Sequence, residues 1–228
     1  MRDPVKVKKE MEEKDQIILE AAFQIFVEKK IEAVSMDEIA RAANVGRATL
    51  FRHYASKPEL VIAVNTKQWG DYLSAVDAVR PISSIHEIPA IDRLIFTMDS
   101  YIDMYQKRKD LLQFNDNFNH YVSHAGRNHE KLQGFHNSLY SADTRFRLMF
   151  EKAKEDHTFR TDIPREQFFR VTVHTMMTAC AYYAGGFIWG SEENRDYTDE
   201  LVLLKDMILG YATAGNCKKK YHKESAGK

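Results

Sequence analysis

Apolar side chains recur at steps of three and four through most of this chain, the spacing of one face of an α-helix. Ile18, Ala22, Ile25 and Phe26 make one such stripe, widened by Phe23. Ile91, Leu94, Ile95, Met98, Tyr101 and Ile102 make a second, and Leu139, Ala142, Phe146, Met149 and Phe150 a third. Only 5 prolines and 10 glycines occur in 228 residues, too few for the many turns of an all-β design. The pattern predicts an all-α chain, with an N-terminal three-helix helix-turn-helix head and a helical body, about nine helices in all.

Charge narrows the function classes. Lys plus Arg total 33 and Asp plus Glu total 33, so the net charge is +0 and no global field draws the molecule to nucleic acid. Any DNA binding must come from a local patch. The 2 cysteines, Cys180 and Cys217, are too few for a disulfide framework, and Cys180 in its apolar run reads as a buried thiol. No stretch reaches the roughly 18 apolar residues of a membrane span, and Met1 to Asp15 mixes Lys and Glu without a signal-peptide core. These features predict a cytoplasmic protein. No His-Glu-x-x-His, Gly-x-x-x-x-Gly-Lys or Cys-x-x-Cys occurs, which argues against the common enzyme motifs.

The boundaries of the head can be read from local signals. Residues 1–14 are charged and are expected to fray. A first helix from Asp15 stops near Lys29 and Lys30. Ser35-Met36-Asp37-Glu38 is a capping-box pattern that opens a second helix through Ile39, Ala40 and Ala43. Asn44 suits a left-handed turn residue, and Gly46 precedes a short third helix, Arg47 to Tyr54. A second box, Ser56-Lys57-Pro58-Glu59, starts a fourth helix toward Val79. Farther on, Ile163-Pro164 opens a long helix to about Ile188, and a last one spans Tyr197 to about Ala214. The expected division is 12–72 for the head and 73–228 for the body, with a basic, disordered tail over about 216–228.

From Arg41 through Pro58 the chain carries 4 cations, Arg41, Arg47, Arg52 and Lys57, and no carboxylate. Such a patch suits phosphates. Gly46 leaves the start of the third helix bare, so its amides can approach DNA. Arg47, Ala48 and Thr49 then occupy the first turn, where a recognition helix reads base edges. Arg47 suits a guanine, and Ala48 and the Thr49 methyl suit a thymine methyl. Ser35, capping the second helix, is placed to hold a phosphate.

The string Val34 to Leu60, with Ile18-x-x-Ala21-Ala22-Phe23-x-x-Phe26 before it, resembles the DNA-binding head of the TetR family over about 45 residues. The matching marks are Ser35, Met36, Ile39, Ala40, Val45, Thr49, Leu50, Phe51, His53, Tyr54, Ser56, Lys57, Glu59 and Leu60. The resemblance implies contacts to DNA from Met36, Phe51, Arg52, His53 and Lys57 as well. It implies a homodimer on a palindromic operator, a repressor's role and release by a small molecule. Two residues depart from the pattern: Phe51 stands where Tyr is usual, and Lys30 where Gly is frequent.

In the body, Thr172 to Trp189 is almost wholly apolar or small. Ala179, Ala181, Ala184, Gly185 and Gly186 would let another helix come close. Leu201, Leu204, Ile208, Tyr211 and Ala212 give the last helix an apolar face, and the resemblance places a dimer interface on these two helices, around 164–190 and 197–214. Candidate lining for an amphipathic organic effector is Trp69, Tyr72, Tyr101, Tyr105, Phe114, Phe118, Tyr121, Phe146, Met149, His174, Met177 and Tyr182, although such residues at helical spacing more often form core. His120 and His124, with Asp116, His129 and His136 nearby, read as a polar surface rather than a metal site, and no cofactor is expected. The alternative reading of the whole is a helical small-molecule-binding protein or enzyme without DNA binding. Idle cations in the head would distinguish it.

Overall fold

The computed structural model describes residues 4–81, 83–84, 87–124, 133–186 and 195–214. Its α-helices are α1 (Pro4–Lys29), α2 (Met36–Ala42), α3 (Arg47–His53), α4 (Lys57–Val79), α5 (Ala90–Lys107), α6 (Lys109–His124), α7 (Gln133–Asp156), α8 (Arg165–Phe169), α9 (Thr175–Ala184) and α10 (Thr198–Thr213). A π-helical turn, Arg170–His174, joins α8 to α9 into one rod over 165–184. No strand occurs among the described residues. The fold is all-α, as the periodicity predicts.

Two compact units divide the chain. The first takes α1–α4, α6 and the start of α7; the second takes α5, α7 from Asp143 onward, and α8–α10. The tail and Cys217 lie outside the described residues.

In the first unit α1 packs on α2, α4 and α6, and α2 packs on α3. Ile18, Ala22, Phe23 and Phe26 of α1 are buried with Ile39, Leu50, Leu60, Val61 and Val64. Phe114 of α6 meets Phe23 edge-on at 5.3 Å and stacks with Phe26 at 6.4 Å. Burying each such ring contributes about 1.5–3 kcal/mol. The helix ends are written locally. Lys30, at φ 66, stops α1 in the left-handed region, the conformation that the usual Gly adopts without strain. Asn44, at φ 51, ends α2. There the Asn44 N–H donates to the Arg41 carbonyl at 3.1 Å and the Val45 N–H to the Ala40 carbonyl at 2.9 Å, a complete Schellman closure.

One expectation for this unit fails. Residues 4–14 are helical rather than frayed: Pro4 opens α1, where its missing N–H costs nothing. Lys8–Glu12 at 3.8 Å and Lys9–Glu13 at 3.9 Å then run as i,i+4 pairs along the first turns.

In the second unit α5 packs on α9 and α10, and α9 on α10. Its core is aromatic. Phe159 stacks on Phe168 at 4.8 Å, Phe146 stacks on Phe169 at 4.5 Å, and Phe150 touches Phe159, Phe168 and Phe169. The N-terminus of α5 is capped from far along the chain. The Ala90 N–H donates to Asp156 Oδ2 at 2.8 Å, and the Ile91 N–H to Thr158 Oγ1 at 3.0 Å. Burial pushes the Asp156 carboxyl up, but the bonds from Ala90 and Thr158 outweigh it and hold the pKa below the ordinary value.

The long helix expected to reach Ile188 ends at Ala184 instead. Gly185 is its C-cap and Gly186 takes φ 71, so these glycines stop the helix rather than lie inside it. Residues 187–194, with Ile188 and Trp189, lie outside the described residues. The π turn was not legible either, because its Thr172 Oγ1 bond to the Phe168 carbonyl, 2.8 Å, leaves no periodic mark. Cys180 is buried, and burial pushes its thiol up to about 12, so it is no thiolate at neutral pH.

Candidate nucleic-acid interface

Two reciprocal caps aim the head. The Ser35 N–H donates to Glu38 Oε2 at 2.9 Å while the Glu38 N–H donates to Ser35 Oγ at 3.3 Å, the capping box read from sequence. The bond from the Ser35 N–H, more than any other cause, holds the Glu38 carboxyl below the usual range. At α4 the Glu59 N–H donates to Ser56 Oγ at 3.4 Å, but the Glu59 carboxylate reaches back one residue farther, to the Ala55 N–H at 3.0 Å. Both boxes fix the turns that flank α3.

α3 is split between two environments. Leu50 and the C-capping Tyr54 face inward and are buried. Gly46, Arg47, Ala48, Phe51 and Arg52 are exposed and Thr49 half-buried. Gly46 has φ −68, and a Cβ there would meet nothing nearer than Thr49 Oγ1 at 4.0 Å. Neither backbone nor packing demands a glycine there, although glycine is among the favoured residues at such an N-cap.

The four cations fare differently. Arg41 and Arg52 are exposed, and neither forms an ion pair among the described residues; Arg52 Nη2 donates to Thr49 Oγ1 at 3.4 Å. Arg47 pairs with Asp37 at 3.1 Å, and its guanidinium lies 5.4 Å from the Phe51 ring. Both partners are largely exposed, so this pair is worth about 0–1 kcal/mol and a phosphate or base can displace it. Lys57 Nζ donates to the Glu32 carbonyl at 3.2 Å and lies 5.8 Å from the Tyr121 ring. Met36 is half-buried beside the Ser35 cap. The His53 side chain is only 4% exposed, with Nδ1 3.3 Å from Asp15 Oδ1, which also accepts from the Tyr54 hydroxyl at 2.7 Å. That ring faces α1.

Asp15, Glu32, Asp37 and Tyr121 were not singled out as partners. All lie outside the acid-free window, and only the folding of α1, α2 and α6 around α3 and α4 brings them to it. Asp37 alone left a signal, on the first turn of α2 just after the Ser35 cap.

The twelve candidate lining residues fall in both units. In the first, Phe114 and Phe118 are buried against each other, centroids 6.2 Å apart, and belong to the core. Trp69 Nε1 donates to Asn115 Oδ1 at 3.3 Å, and its ring meets Tyr72 edge-on at 5.7 Å. Tyr121 sits over Lys57. In the second, Tyr105 is buried and its hydroxyl accepts the Tyr197 N–H at 3.0 Å. Met149 is buried, Phe146, Tyr101 and Met177 are half-buried, and His174 and Tyr182 are exposed. Burial raises the Tyr101 phenol far above its ordinary value. His120 lies 3.9 Å from Asp116 on the surface; the side chains of His124, His129 and His136 lie outside those described. No three metal-ligating side chains meet among the described residues. No described helix is long and apolar enough to cross a membrane.

The model of bacterial regulatory proteins of the tetR family matches residues 18–64, the segment that builds this head. The head of the chain is therefore similar in sequence to the N-terminal segment of the TetR family. Among curated relatives it is 44% identical over 55 residues to a protein of Mycobacterium tuberculosis described as a mycofactocin biosynthesis transcriptional regulator, MftR, covering 24% of each chain. It is 30% identical over 97 residues to the negative transcriptional regulator IcaR of the Staphylococcus aureus biofilm operon icaADBC, covering 40% of this chain and 51% of IcaR. The chain thus spans about a quarter to a half of the curated relatives it matches. Those relatives are transcriptional regulators, not enzymes. The transcriptional regulator FadR from Bacillus subtilis, solved in complex with stearoyl-CoA, superposes with a TM-score of 0.65 at 12% identity over 86% of this chain and 98% of FadR. The TetR likeness of the whole chain is therefore one of fold, and its likeness in sequence is concentrated in the head.

Proposed function

We propose that this chain is a TetR-family transcriptional repressor that binds a palindromic operator as a homodimer and leaves it when a small molecule binds. The observation that carries the reading is the exposed start of α3. Gly46, Arg47 and Ala48 face solvent on a short helix held by Leu50 and by capped turns on both sides. A helix so presented enters a major groove with its first turn on the bases, and Ser35, Met36, Thr49, Phe51, Arg52 and Lys57 surround it toward the backbone, whereas the His53 ring, buried against Asp15 of α1, supports the end of α3 instead of reaching DNA. One head makes too few base contacts for useful specificity, and two related by a dyad read two half-sites.

An exposed apolar stripe supports the dimer. Leu203 and Met207 of α10 are 64% and 72% exposed, and Gly210 continues their line with open space where a Cβ would stand. Tyr182 and Val171 are exposed on the rod over 165–184. A second copy laid along these helices buries what a monomer leaves wet. The effector belongs to the amphipathic organic class; FadR's acyl-CoA complex shows that a protein of this fold accepts such a molecule. Displacement of α4 by the effector would change the spacing of the two α3 helices, which must match half-sites about 34 Å apart. Repression accords with the likeness to IcaR, a negative regulator; activation is the second reading, since the chain is also 39% identical over 59 residues to the transcriptional activator FasR of Mycolicibacterium smegmatis.

Selection of bound fragments from random duplex DNA tests the reading. Enrichment of one inverted repeat is expected, with a dimer on size exclusion. If no sequence outcompetes a scrambled duplex at low salt, the regulator reading falls.

A further inference from the structure

The ammonium of Lys57 does not stand clear of the protein. It donates to the Glu32 carbonyl at 3.2 Å and lies 5.8 Å from the centroid of the Tyr121 ring. Three segments of one compact unit therefore meet at a single charge: the first turn of α4, the turn between α1 and α2, and the last turn of α6. Lys57 is half-buried, and the loss of water pulls its pKa down, against the opposing pull of the Glu32 and Glu38 carboxylates. A carbonyl dipole and a ring quadrupole replace part of that water. Neither atom group that touches the ammonium carries a full charge. A phosphate does, so it can take the ammonium, but only after these two contacts are given up.

We propose that Tyr121 is a positioning residue that withholds Lys57 from DNA phosphate, so that the last turn of α6 sets how many phosphates the head engages. This rests on the reading of Lys57 as a phosphate contact. The ring face acts here, not the hydroxyl, because the contact runs from Nζ to the ring centroid. Any event that shifts the end of α6 then changes DNA affinity without touching α3, and does so for all sequences alike, since phosphate contacts carry no base information.

The test uses the full chain and a labelled random-sequence duplex, with binding followed by fluorescence anisotropy across a salt series. Thermal unfolding checks that each variant folds. Tyr121→Leu removes the quadrupole at similar bulk; it is expected to bind about two- to fivefold tighter at low salt. The slope of log affinity against log salt should steepen by about 0.9, the signature of one more phosphate engaged. Tyr121→Phe keeps the ring face and should match wild type in both respects. In a Lys57→Ala background, Tyr121→Leu should do nothing. Should Tyr121→Leu fail to fold, Tyr121→Met carries the same expectation. An unchanged or shallower slope, weaker binding, or the same tightening in the Lys57→Ala background overturns the proposal. Lys57→Ala alone should leave the slope close to wild type, because the ring already withholds the ammonium; a slope shallower by about 0.9 would mean that Lys57 engages phosphate with the ring in place, which overturns the proposal and keeps the underlying reading. If Tyr121→Leu and Lys57→Ala both leave affinity and slope at wild type, Lys57 touches no phosphate in either state and the underlying reading fails at that residue.

Discussion

The two compact units are held by different kinds of contact. In the first, the turns around α2 and α3 close within six residues of chain: Ser35 with Glu38, Asn44 and Val45 with Arg41 and Ala40, Ser56 and Ala55 with Glu59. In the second, the decisive contacts span long stretches. Asp156 caps Ala90, 66 positions away, and the cluster of Phe146, Phe150, Phe159, Phe168 and Phe169 joins α7 to α8. A surface that must present side chains at fixed spacing is thus built on short, locally determined turns, while the second unit depends on a few large buried rings.

The sharpest way to break that contrast is to remove one ring. Phe168 is fully buried against three other phenylalanines, so Phe168→Ala should cost about 3–5 kcal/mol in urea unfolding, combining lost transfer energy with a cavity. A cost below that of losing one helix cap would mean that the cluster is not what holds this unit.

The next effects are in function rather than stability. Arg47→Ala should cost about 1–3 kcal/mol of binding to the selected operator and relax preference at the base it reads. Gly46→Asp makes the separation cleaner. A carboxylate at this N-cap favours α3 through capping and the helix dipole, so folding stability should hold or rise by a few tenths of a kcal/mol. DNA affinity should nonetheless collapse, because the new charge meets phosphate. Parallel losses of stability and affinity would show that Gly46 serves the fold after all.

Much of the first unit was legible in sequence for the same reason that it is locally determined. A cap is a pair of residue types at fixed spacing, so Ser35, Glu38, Asn44 and Ser56 could be placed by eye. Partners brought in by packing could not be. Asp37 against Arg47, Asp15 against His53 and Tyr121 over Lys57 depend on how helices cross, and sequence spacing holds no record of that. In the second unit the helices were legible but their interruptions were not. Gly185 and Gly186 read as small residues in a close-packed helix, whereas Gly186 at φ 71 ends it.

Asn65 marks a place where local rules and burial conflict. It is fully buried on α4, and neither its amide oxygen nor its nitrogen has a hydrogen-bond partner. An unpaired buried polar group costs about 1–3 kcal/mol, so Asn65→Leu should stabilise the first unit by an amount of that order, read as a raised unfolding midpoint. A lowered midpoint would mean that the amide is satisfied in solution by water or a ligand.

Ser35→Ala should cost about 0.5–2 kcal/mol, and its pH dependence tests the mechanism. The Glu38 carboxyl is held below its ordinary value in the folded chain. A depressed carboxylate contributes stability that is fully present above its unfolded pKa and is lost as pH falls through the folded one. The substitution keeps the residue-35 N–H but removes the bond that the Ser35 hydroxyl donates to Glu38 Oε2 at 2.9 Å, so part of the gap between wild type and Ser35→Ala should be lost in acid. A gap that is constant with pH would assign the loss to the bond that the Ser35 hydroxyl accepts from the Glu38 N–H.

The smallest expected effect lies at Lys30. Its φ of 66 places an L-residue in the left-handed region, where Cβ crowds the following carbonyl, and its side chain is exposed. Lys30→Gly removes that crowding but loosens the unfolded chain, an opposing term of about 0.4–1 kcal/mol. The strain is about 1–2 kcal/mol, so the substitution should raise the unfolding free energy by roughly 0.5–1 kcal/mol. Because the change sits at the stop of α1 and leaves α3 untouched, DNA affinity should not move. A gain in stability with a loss of affinity would mean that Lys30 belongs to the interface, and that the strained turn is kept for the charge it holds out to the DNA.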